Sequence, residues 1–90
     1  MKKNQIIRIR GELGGTLFRQ EARQKGEKLG LVGHAQIEPD GALRIDAEGD
    51  PDRLEEFVDW CKKGPEGTEV QQVHVADGEL QGFDRFMEVR

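Results

Sequence analysis

Apolar and polar positions alternate near the start of the chain. In residues 5–11, Gln-Ile-Ile-Arg-Ile-Arg-Gly, Ile7 and Ile9 fall on one side and Arg8 and Arg10 on the other. A period of two predicts a half-buried strand, which Gly11 ends. Residues 12–18 set Gly14 and Gly15 between apolar neighbours, which is the chemistry of a tight loop. Residues 19–29 are mostly helix formers, with a sparse apolar stripe of Phe18, Ala22 and Leu29. Gly26 inside that helix costs about 1 kcal/mol relative to alanine, and Gly30 follows as a left-handed stop. Two alternating stretches, 32–38 and 42–48, flank Pro39-Asp40-Gly41. Proline pre-sets φ and glycine supplies a positive one, so the pair reads as a hairpin, with Ala35 and Ile37 on one face of its first strand. Asp50-Pro51 then opens a helix, with aspartate as N-cap and proline in the first turn. Its residues Leu54, Phe57, Val58 and Cys61 recur at helical spacing, and Lys62-Lys63-Gly64-Pro65 closes it. Val70, Val73 and Val75 mark a fourth strand and residues 83–89 a fifth, with a turn near Asp77-Gly78.

Helices interleaved with a hairpin do not form an all-parallel sheet. The expected class is α+β: a ferredoxin-like split βαβ sandwich, in which a largely antiparallel five-stranded sheet carries both helices on one face. Ninety residues leave room for one hydrophobic core, so the chain is read as a single domain, 1–90. With 34% hydrophobic and 36% charged residues, disorder is the first alternative. Leu, Ile, Val and Phe make up about a quarter of the chain, above the ~20% of disordered segments, which favours a folded domain with a thin core. The net charge of −4, with both signs interspersed, and central strands without exposed aromatics argue against nucleic acid. No apolar run approaches the ~20 residues of a membrane span, and no signal-peptide pattern opens the sequence. The chain is therefore expected in the cytoplasm, as a monomer. Cys61, the only cysteine, excludes an internal disulfide and a Cys-x-x-Cys metal site, and its place on the helix stripe makes it a core residue.

The run Gly11-Glu-Leu-Gly-Gly-Thr-Leu-Phe-Arg19 resembles the first signature of the acylphosphatase family, Gly-x-Val-Gln-Gly-Val-x-Phe-Arg. Gly11, Gly15, Phe18 and Arg19 match it, and Leu13 stands in for valine. Gly14 replaces the family's glutamine and Thr16 its second valine. The register continues through Lys28-Leu-Gly-Leu-Val-Gly33, Pro39-Asp-Gly41, Glu48-Gly49, Trp60-Cys61 and Gly64-Pro65. The resemblance implies hydrolysis of a carboxyl–phosphate anhydride in small acyl phosphates, with no metal and no organic cofactor. Independent physical logic supports an anion site. A glycine-rich loop between a strand and a helix can turn backbone N–H groups inward, and an arginine adds a planar fork for phosphate. The loop is Leu13, Gly14, Gly15, Thr16, Leu17 and Phe18, and the arginine is Arg19; the expected ligand is a small acyl phosphate or inorganic phosphate.

The resemblance also implies an asparagine on the second strand to orient the attacking water, and that position is Ile37. An aliphatic side chain cannot hold a water, so acyl phosphate hydrolysis is expected to be weak or absent, with Ile37 extending the apolar face of Ala35. Gln36 and Glu38 point the other way in a regular strand, as does His34, where the family usually has tryptophan. Thr16 is expected to bond its own backbone and His74 to be exposed. Two alternatives stay open: an active enzyme with a shifted water ligand, and a non-catalytic domain that binds phosphate or a protein partner.

Overall fold

A computed structural model describes residues 1–89. The elements follow in the order β1 (Lys3–Glu12), α1 (Leu17–Lys28), β2 (Val32–Ile37), β3 (Leu43–Gly49), α2 (Pro51–Lys63), β4 (Glu69–Gly78) and β5 (Phe86–Val89). The five strands form one sheet in the order β4-β1-β3-β2-β5. Its pairs are antiparallel except β2 with β5, which is parallel. α1 packs over β2 and β5, and α2 over β4, β1 and β3. The α+β sandwich expected from the hydrophobic pattern is the fold observed.

Alternation places Ile7, Ile9, Ala35, Leu43 and Ile45 under the helices, where all are buried. From above they meet Phe18 and Ala22 of α1 and Leu54, Phe57 and Cys61 of α2. Gly26 is the third buried point of the α1 seam, after Phe18 and Ala22. A Cβ at Gly26 would stand 2.5–2.6 Å from two ring atoms of Phe86, so the glycine lets β5 approach the helix. Leu29 packs half-buried against the core as expected of the stripe and also caps α1, and Gly30 adopts the expected positive φ of 71°. The bond from the Leu31 amide to the Gly26 carbonyl, 2.9 Å, completes that cap.

Several boundaries differ from expectation. α1 begins at Leu17 rather than residue 19, because the glycine turn ends at Thr16. β5 is confined to Phe86–Val89, and the strand before it runs through Asp77 to Gly78 instead of turning there. Asp50 precedes α2 with an extended backbone but makes no side-chain cap bond. Val70 and Val73, three apart, are both half-buried because the β1–β4 register shifts. Arg10 faces Gln72 and Gly11 faces Val70, leaving Gln71 as the extra residue of a bulge.

The other face of the sheet is partly covered by residues 79–85. Glu48, buried on that face, accepts hydrogen bonds from the Asn4 carboxamide (2.8 Å) and from the backbone amides of Gln81 and Gly82. Phe83 lies edge-on to His34, with ring centroids 5.2 Å apart.

Candidate functional site

The loop from β1 to α1 turns on Gly14 and Gly15, with φ of 68° and 64°. Left-handed residues in succession are readily formed only by glycine. The Leu17 amide donates to Gly14 O (3.1 Å) and the Phe18 amide to Leu13 O (3.4 Å), which closes the turn. Among the described residues, the amides of Gly15, Thr16 and Arg19 have no acceptor. Thr16 returns to the right-handed region, with φ −89° and ψ −1°. A left-handed residue followed by a right-handed one directs successive N–H groups into one concavity, at the positive end of the α1 dipole. Contrary to expectation, the Thr16 hydroxyl makes no cap bond to its own helix.

Arg19 rises from the first turn of α1, with its side chain 13% exposed. Its Nη1 donates to the Val89 carbonyl at 3.2 Å. Its Nε lies 3.6 Å from Glu88 Oε1, an ion pair too long for a hydrogen bond, so this buried N–H has no acceptor among the described residues. Glu88 and Val89 were absent from the expected site. Their separation from Arg19 along the chain hides the contact, although a carboxylate two residues beyond Phe86, on the helix-facing side of its strand, is an anomaly visible in the alternation.

A pocket of about 240 Å³ opens beside this arginine, lined by Gly11, Leu13, Gly15, Phe18, Arg19, Ile37, Gly41 and Leu43. The structure therefore brings Leu13, Gly15, Phe18 and Arg19 together with Ile37, while Gly14, Thr16 and Leu17 shape the turn without lining the pocket. Ile37 shares the side of Ala35, but it is 39% exposed whereas Ala35 is fully buried. It is a wall of the pocket that Phe18 and Arg19 of α1 also line, and not an extension of the core. Among the described residues that line the pocket, Arg19 alone has a polar side chain.

The other polar candidates lie elsewhere. Glu38 pairs with Arg8 Nη2 at 2.7 Å on the opposite face, and His34 packs on Phe83 there. Gln36 keeps the same parity as these two. His74 is exposed on β4. Cys61 is fully buried, and burial pushes its thiol pKa far above the ordinary value. A second depression, about 340 Å³ and lined in part by Lys3, Gln5, Val58 and Lys62, shares no residue with the loop. Among the described residues no three His, Cys, Asp or Glu side chains are grouped to hold a metal, and no helix is long and apolar enough to cross a membrane.

Together these features define a two-layer α+β domain whose first loop gathers backbone amides and an arginine at the mouth of a small pocket. Comparison with known proteins makes this specific: the chain matches the Acylphosphatase family over residues 5–87 and belongs to it. It is 39% identical over 80 residues to an acylphosphatase of Nocardioides sp., covering 89% of this chain and 81% of that relative. The crystal structure of acylphosphatase from Bacillus subtilis superposes with a TM-score of 0.90 at 31% identity, over the full length of both chains. An acylphosphatase structure from Coxiella burnetii agrees in fold, with a TM-score of 0.93 over 98% of this chain and 93% of that one at 23% identity.

Proposed function

We propose that the chain binds a phosphoryl group in the cradle formed by residues 13–19 and hydrolyses acyl phosphates weakly or not at all. The amides of Gly15, Thr16 and Arg19 supply donors to the equatorial oxygens, and the Arg19 guanidinium supplies charge. Such preorganised donors stabilise a phosphoryl group in transfer without covalent help from the protein. The missing part is a group that holds water in line with the leaving carboxylate. Positioning of a nucleophile contributes up to ~7–11 kcal/mol of barrier lowering, so its loss outweighs the altered loop residues.

One observation carries this reading: Ile37 lines the same pocket as Arg19, where its side chain neither donates nor accepts. Hydrolysis of benzoyl phosphate by the wild type and by Ile37→Asn tests it. The expected result is little turnover by the wild type and a gain of about tenfold or more with asparagine, a modest share of what positioning supplies. Robust wild-type turnover, or no gain, overturns the impaired reading. Phosphate titration read at the amides of residues 13–19 tests the cradle itself, which fails if those amides do not respond.

A further inference from the structure

Arg19 shares a carboxylate with a second arginine. Glu88 Oε2 accepts from Arg23 Nε at 2.7 Å, while its Oε1 stands 3.6 Å from Arg19 Nε. Arg23 Nη1 also meets Glu27 at 2.8 Å. The three side chains are sheltered, at 13% exposure for Arg19, 24% for Glu88 and 30% for Arg23. Arg19 and Arg23 are four residues apart, hence neighbours on one face of α1. Glu88 faces them from the helix side of β5, the side on which Phe86 is buried.

We propose that Glu88 is a positioning residue that sets how much positive charge Arg19 offers to a phosphoryl group, and that Arg23 governs how closely Glu88 bears on Arg19. The inference rests on the phosphoryl-binding reading of the loop. The close bond to Arg23 draws Glu88 away, and among the described residues Arg19 Nε is buried without an acceptor. A buried N–H of this kind gains substantially from any acceptor that reaches it. Removing Arg23 releases Glu88 to close on Nε and neutralise Arg19 more fully. Removing the charge of Glu88 has the opposite effect, because a carboxylate close behind the guanidinium repels an incoming anion. Val89 O still holds Nη1 in either case, so the fork keeps its place while its net charge changes.

Inorganic phosphate titrations of the full chain, read by amide shifts, provide the test in the wild type, Glu88→Gln, Arg23→Met and the double variant. Glu88→Gln should tighten binding by about fivefold at low salt, the effect of one partly screened charge, and that gain should shrink as salt rises. Arg23→Met should weaken binding, and by less than half as much in the Glu88→Gln background, since Arg23 acts through Glu88. Unchanged or weaker binding by Glu88→Gln, or an equal effect of Arg23→Met in both backgrounds, overturns the proposal. A second measurement needs no ligand: in Arg23→Met the Arg19 Nε proton should shift downfield and exchange more slowly with water. An unmoved Nε proton overturns the proposal however phosphate behaves. Failure of the wild type to bind phosphate instead counts against the loop reading, so the two failures are distinguishable.

Discussion

Among the described residues nothing lies within 4 Å of where a Gly15 Cβ would go, so its constraint comes from its backbone. At φ 64° an L-residue costs roughly 1–2 kcal/mol. Gly15→Ala is therefore expected to lower stability by about 1 kcal/mol in urea melts and to weaken phosphate binding, because relief of the strain turns the Gly15 and Thr16 amides out of the cradle. Unchanged phosphate shifts at those amides would count against the nest. At this scale the loop and Arg19 were legible in the sequence, since paired glycines before Phe18 and Arg19 have a direct mechanical meaning. The exposure of Ile37 was not. Parity assigns a residue to a face of a strand, but only what packs above that position decides whether it is core or pocket wall. Glu88 was hidden for a related reason: its partners are on α1, at the opposite end of the chain.

Among the elements, α2 was the most legible, because capping chemistry at both ends brackets a continuous apolar stripe. α1 was harder to read. Its seam runs through Phe18, Ala22 and Gly26, so a residue that weakens an isolated helix is the one that lets it dock on β5. Gly26→Ala should gain about 1 kcal/mol in intrinsic helix propensity yet lose more by driving a methyl into the Phe86 ring. Overpacking of this kind costs ~1–3 kcal/mol. The expected outcome is a net loss of stability by urea denaturation, recovered when Phe86→Leu is added. A net gain from Gly26→Ala alone would show that the ring moves aside freely. The bulge at Gln71 was equally invisible, since Val70 and Val73 break the period of two without indicating where the extra residue lies.

For the whole molecule, the element order follows from punctuation in the sequence, whereas the crossing of residues 79–85 over the far face of the sheet does not. Glu48 ties that crossing to the sheet. Burial raises its carboxyl pKa, but the Gln81 amide, the Asn4 carboxamide and the amides of Gly82 and Phe83 outweigh this and hold it below the ordinary 4.5. A carboxyl depressed in the folded state contributes stability that is complete above its unfolded value and is lost as pH falls through the native one. The clasp should therefore hold at neutral pH and release progressively below about pH 4.5. Glu48→Gln, which removes the charge from these hydrogen bonds, is expected to cost about 2 kcal/mol at pH 7. Urea melts across pH should show the two proteins converging in acid, and a constant gap down to the acid limit would refute the assignment.

The burial of Cys61 has a use quite apart from catalysis. Its sulfur is fully enclosed between α2 and the sheet and is held in the protonated form, so a thiol reagent has no route to it in the closed molecule. Labelling therefore requires α2 to lift from the sheet, and each label marks a molecule that has opened at least once. The unlabelled fraction, followed over time, is a clock for the native state that needs no engineered probe.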